Sequence, residues 1–171
     1  MITVGIREDL LSENAATILK GLDGLDAELR KKADHRDTLD RLLKLSRYDN
    51  EEIVQKATWC AAKMGQNKVN DKRIISLMIE AAVNGDPEVR ENAAWGIGEA
   101  AGTIEINNVA VAVILSLLDD ANCDTRAMAA WAAGRLRHKT GNTDAAIENK
   151  LKELLNDVSA YVRMTAEFAL E

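Results

Sequence analysis

The side chains able to do covalent or metal chemistry are few in this sequence, and their spacing keeps them apart. His35 precedes Arg36 and His138 precedes Lys139, far from each other in the chain. A metal site needs three or four His, Cys, Asp or Glu ligands converging on one point, and neither histidine has such company. Cys60 and Cys123 are 63 residues apart. They form no CxxC pair, and neither has a histidine near it in register, so no Cys/His nucleophile and base is assembled. Gly96-Ile97-Gly98 lacks the other glycines of a phosphate-cradling loop and lies within a helical pattern, where it permits close packing. The expectation is a chain that is not an enzyme and holds no cofactor or metal.

Aromatic residues carry a different signal. Trp59, Trp95 and Trp131 follow one another at intervals of 36 and 36, and Phe168, the sole phenylalanine, follows at 37. The residues leading to them agree: Val89-Arg90-Glu91-Asn92-Ala93-Ala94-Trp95 is answered by Thr125-Arg126-Ala127-Met128-Ala129-Ala130-Trp131. A period between 20 and 50 residues means stacked supersecondary units. Large indoles at one slot of each unit either pack between neighbours or form an exposed stripe that grips a partner, since Trp is enriched in binding hot spots. Both roles stay open at this stage.

The elements that position this row are paired helices. Val89, Ala93 and Ile97 share one helical face, as do Thr125, Ala129 and Ala133. This second helix of each unit, B, starts at Asp86-Pro87-Glu88, a capping Asp, a Pro suited to the first turn and a Glu favoured there; Asn50, Asn122 and Ser159 are the matching caps. Between B helices, the periodic sets Leu39, Leu42, Leu43; Ile74, Leu77, Met78, Ala81; Ala110, Val113, Leu117; and Ile147, Leu151, Leu154, Leu155 mark first helices, A. Gly65, Gly102 and Gly141 are expected to end the B helices in a left-handed turn. Residues 8–21 read as a worn copy with Thr17 in the aromatic slot, leaving room for an extra helix at 25–33.

Composition supports this class. Lys plus Arg is 22 and Asp plus Glu is 28, a net charge of −6, which argues against nucleic acid as partner. A single proline and only three Trp, two Tyr and one Phe are meagre for a β-sandwich or barrel. The longest apolar run, 109–118, is too short for a membrane span, and segment 1–11 lacks the apolar stretch of a secretory leader. With two separated cysteines, a reducing cytoplasm is the expected location.

The stretch Asp86-Pro87-Glu88-Val89-Arg90-Glu91-Asn92-Ala93-Ala94-Trp95-Gly96-Ile97-Gly98 resembles the short HEAT-like repeats of bilin lyases and many prokaryotic proteins. The resemblance implies an all-α, right-handed α-solenoid of antiparallel helix pairs. With the 36-residue period it gives four HEAT-like repeats at about 37–69, 70–105, 106–142 and 143–171; segment 1–36, where the resemblance is weak, is read from its worn copy as an N-terminal helical cap, a degenerate repeat. The resemblance also implies that Arg90, Arg126 and Arg163 bond to acids or carbonyls of the adjacent unit, with Asp86, Asp119 and Asp120 as acceptors. The Trp slot is similar to that of armadillo repeats, whose Asn one turn later grips a peptide backbone. Here that turn carries Lys63, Glu99 and Arg135, so the amide ladder does not carry over.

Function follows as an expectation: a scaffold that binds a partner protein or peptide along the concave B-helix surface. Trp59, Trp95, Trp131 and Phe168 would be its apolar anchors, and Lys56, Lys63, Asn92, Glu99, Met128 and Arg135 would set selectivity. Lys63, Glu99 and Arg135 alternate in sign and either pair across repeats or select the partner. The alternatives are an accessory enzyme or cofactor-handling protein of bilin lyase type, or a segment of a larger solenoid assembly. The expected state is a monomer or a weak dimer through the exposed solenoid end.

Overall fold

A computed structural model describes residues 4–141 and 144–171; the expected junction of the third and fourth repeats, at 142 and 143, lies outside the described residues. Helices α1 (Val4–Leu11), α3 (Leu39–Leu45), α5 (Lys72–Asn84), α7 (Asn108–Leu117) and α9 (Ala145–Leu154) alternate with α2 (Ala15–Arg30), α4 (Glu51–Gln66), α6 (Pro87–Ala100), α8 (Cys123–Thr140) and α10 (Ala160–Leu170). Among the described residues there is no strand beyond a single bridge between Ala101 and Ile104. Each even-numbered B helix packs on the next, α2 on α4, α4 on α6, α6 on α8 and α8 on α10, with the A helices forming the outer layer. The result is an all-α, right-handed solenoid of antiparallel helix pairs.

The B helices start where their caps dictate. Asn14, Asn50, Asp86, Asn122 and Ser159 each stand in extended backbone and accept a hydrogen bond from an N–H of the first turn. Such caps satisfy donors that the helix itself leaves unpaired. The caps recur at 36, 36, 36 and 37 residues. This corrects the N-terminal register: Asn14 begins a full B helix, the aromatic slot of that unit holds Asp23 and not Thr17, and segment 25–33 forms no separate helix because α2 runs through it to Arg30. Leu22, Leu25 and Leu29 of that continuous helix are buried.

Small side chains set the spacing. Ala57, Ala61, Ala93, Ala94, Ala129, Ala130 and Ala166 are all 0% exposed, so B-helix backbones approach closely. At Gly98 a methyl group would lie 2.7 Å from Cζ3 of Trp131 and 3.0 Å from Cα of Ala132, and at Gly134 it would lie 2.9 Å from Cα of Ala169. Gly141 ends α8 in the left-handed region at φ 67°, and Gly102 turns the chain after α6 at φ 80°. Gly65 departs from expectation: it lies inside α4 against Ala100, and the left-handed turn falls on Lys68 at φ 70°.

Two arginines lock successive repeats. Arg90 donates to both carboxylate oxygens of Asp120 at 2.7 and 2.9 Å, and Arg126 does the same to Asp157 at 2.9 and 3.0 Å. Asp120 is thus an acceptor as expected. Asp119 instead pairs with Lys150, and Asp86 accepts from Val89 N–H and Gln55. Arg163 donates to the backbone carbonyls of Asp157 and Val158.

Candidate interaction surface

The B helices expose one face in rows, because positions 36 or 37 residues apart fall beside one another. The aromatic row holds Trp59, Trp95, Trp131 and Phe168. The three indoles are half-buried, and Phe168 is 45% exposed. Trp59 and Trp95 stack with ring centroids 4.8 Å apart and planes 19° from parallel. Trp59 Nε1 donates to Asp26 Oδ1 at 2.8 Å, which fixes the ring against α2. Trp131 fills the space left by the missing side chain of Gly98, and Phe168 tilts toward His138 at 6.2 Å between ring centroids. Packing between repeats and partial exposure therefore coexist in the same side chains.

Cations already sit on this row. Lys63 Nζ lies 5.6 Å from the ring centroids of both Trp59 and Trp95 and donates to Gln66 at 2.6 Å. Arg135 Cζ lies 5.5 Å from the Trp131 ring, and its NH2 nitrogen is 3.6 Å from Glu99. An indole face attracts a cation through its quadrupole, by roughly 0.5–1 kcal/mol at exposed sites. Of the alternating charges, then, Glu99 and Arg135 pair across a repeat boundary, while Lys63 turns to the indoles. The Glu99 carbonyl also accepts from Lys139 at 3.0 Å.

Asn92 and Met128 are half-buried one helical turn before their tryptophans, and Lys56, in the same row, pairs with Asp23 on α2. A further row escaped the sequence reading. Glu52, Glu88 and Asp124 recur at intervals of 36 and are exposed on α4, α6 and α8, with half-buried Glu91 beside them. Burial first, then the charges of Asp124 and Glu88, push the Glu91 carboxyl above its ordinary value. A hollow of about 490 Å³ runs between α2, α4 and α6, with Glu52 and Glu88 at its rim and Trp59 and Asn92 in its wall. The 36-residue recurrence of these acids was legible, but their sequence neighbours gave no hint that Glu52 and Glu88 line one hollow.

Among the described residues no group of three or more His, Cys, Asp or Glu is placed to hold a metal ion, and no helix is long and apolar enough to cross a membrane. Cys60 is buried, and its thiol is pushed upward by that burial, so thiolate chemistry there is suppressed.

Comparisons with known proteins agree with this architecture. A family model described as HEAT repeats matches residues 75–171. A search of curated proteins returned no match. Among solved structures, the complex of CpcE and CpcF of phycocyanin lyase from Nostoc sp. PCC7120 is similar with a TM-score of 0.72 at 20% identity, covering 98% of this chain and 98% of that one. A designed armadillo repeat protein in complex with the peptide (KR)4 gives a TM-score of 0.67 at 18% identity, over 96% of this chain and 79% of that one. The MAST/Orbit N-terminal domain gives 0.57 at 15% identity, over 99% and 82%. At these identities the likeness is one of fold.

Proposed function

The chain belongs to the HEAT-repeat family, and from that premise we propose that it is a protein-interaction scaffold whose B-helix face binds an extended segment or helix of a partner protein. The observation that carries this reading is the aromatic row: three half-buried indoles and Phe168, in register on α4, α6, α8 and α10, each packed on one side and open on another. Rigid aromatic groups held by a packed support are the side chains that dominate binding energetics. Met128 and Asn92 flank the row as adaptable contacts, while Lys56, Lys63, Glu99 and Arg135, already engaged within the chain, set the charge pattern a partner meets. The peptide complex of the designed armadillo protein supports this use of the architecture. Segment 1–36 is proposed to act as the cap of the stack, since a solenoid end needs a polar outer face.

A second reading, an accessory protein of bilin lyase type, is favoured by the end-to-end match to the phycocyanin lyase complex. Activity of the isolated chain on a chromophore would select it. The experiment for the first reading is affinity capture with the wild-type chain, with Trp131→Ala and with Met128→Ala, each shown folded by its thermal melt. A partner retained by wild type and lost by both variants supports the concave face. A partner held equally by all three contradicts it.

A further inference from the structure

Resting on the interaction reading above, we infer that the segment bound along the B helices is basic and extended, with Lys or Arg at every third residue facing Glu52, Glu88 and Asp124. Charge balance across the groove is the first ground. Its basic side chains are committed within the chain: Lys56 to Asp23, Arg30 to Asp26, Arg135 to Glu99, and Lys63 to Gln66 and the indoles. Glu52, Glu88, Glu91 and Asp124 take part in no salt bridge among the described residues. Lys56, which feels the charge of Glu52, is spent on Asp23. Burial chiefly raises the Glu91 carboxyl, and the charges of Asp124 and Glu88 add to it across the α6 and α8 boundary. A cation from outside relieves the repulsion between these charges, and like charges on a partner add to it.

The second ground is what the aromatic row already accepts. Lys63 and Arg135 seat a primary ammonium and a guanidinium against the indoles at 5.6 and 5.5 Å. The same surface chemistry suits the cationic side chains of a partner, whose aliphatic stems cover the exposed ring edges. Geometry supplies the third. Packed helices stand roughly 8–10 Å apart, and a polyproline II segment, at three residues per turn, repeats its side-chain direction about every 9 Å. One residue in three therefore meets one carboxylate per repeat without bending the segment.

The test uses the intact chain and synthetic peptides of five Ala-Pro-Arg triplets, the same peptide with Glu for Arg, and an isomer with its arginines clustered at one end. Fluorescence anisotropy should show the triplet Arg peptide binding most tightly, the clustered isomer more weakly and the Glu peptide not at all. Glu88→Gln combined with Asp124→Asn should weaken the triplet peptide on the order of tenfold, and Glu105→Gln, on the loop after α6, should leave it unchanged. Both acid positions are exposed, so the double variant is expected to fold, and its thermal melt verifies this. Failure of the triplet Arg peptide to bind overturns the inference, as does equal affinity for the Glu peptide or for the double variant. The capture experiment with Trp131→Ala is read separately, so a neutral or acidic partner lost by that variant would refute the charge preference while leaving the concave reading standing.

Discussion

Arg90 and Arg126 each reach across one repeat boundary to a carboxylate, and these two forks show how far single residues were legible. Asp120 was one of three acceptors, with Asp86 and Asp119, that the HEAT resemblance implied for the recurring arginines, and it alone of the three is used by them. Asp157 was missed because it follows Asp120 at 37 and not 36 residues, the same extra residue that displaces Phe168. Asp120 is 8% exposed, and the Arg90 side chain 22%. Asp120→Ala leaves two guanidinium donors without their acceptor and should cost about 1.5–3 kcal/mol; a double-mutant cycle with Arg90→Ala in urea melts checks it, and additivity would remove the pair from the account. His35 was invisible to pattern reading, because its burial comes from tertiary packing around the turn after α2. It is 1% exposed, and neither ring nitrogen has a hydrogen-bond partner. Burial lowers its pKa below 6.5, with Asp37 and Glu28 opposing. The unfolded chain then binds the proton more readily, so stability holds above pH 6.5 and declines as pH falls below it toward the lowered folded value. His35→Leu should flatten that part of the stability profile, and an unchanged slope would count against it.

At the scale of elements, helix starts were the most legible feature and helix ends the least. Each B-helix cap is a local chemical event, a side-chain oxygen meeting a first-turn N–H, so Asn50, Asp86, Asn122 and Ser159 could be named from sequence. The fifth cap, Asn14, was overlooked because apolar and alanine residues around it imitate a B helix six residues out of phase, and because Asp23 replaces the aromatic that marks the other units. Gly65 misled for a related reason: a glycine near a helix end ordinarily breaks it, but here it serves close approach to Ala100 on α6. Gly98 has the same task in a tighter place. Gly98→Ala puts a methyl group against the Trp131 ring and the α8 backbone, which should overpack the interface by roughly 1–3 kcal/mol. A lowered denaturation midpoint with an unchanged slope is the expected result, and a midpoint equal to wild type would show that α6 and α8 stand further apart.

For the whole molecule, the 36-residue interval carried the architecture, because in a stack each unit touches only its neighbours and a one-dimensional repeat becomes a row in space. The aromatic row was legible for that reason. Its state was not: alternation of Lys63, Glu99 and Arg135 left pairing or partner selection open, and while Glu99 and Arg135 do pair, the cation contacts with the indoles and the Trp59 bond to Asp26 depend on side-chain directions that spacing does not specify. The acidic row went unread because Glu52, Glu88 and Asp124 also sit in first helical turns, where carboxylates are ordinary. What remains is whether partners meet this face. Fluorine NMR of the chain labelled with 5-fluorotryptophan answers it directly, since Trp59, Trp95 and Trp131 are its only indoles. On addition of the captured partner, all three resonances should move together. A partner that binds with none of the three displaced would place the interaction elsewhere on the solenoid and contradict the account.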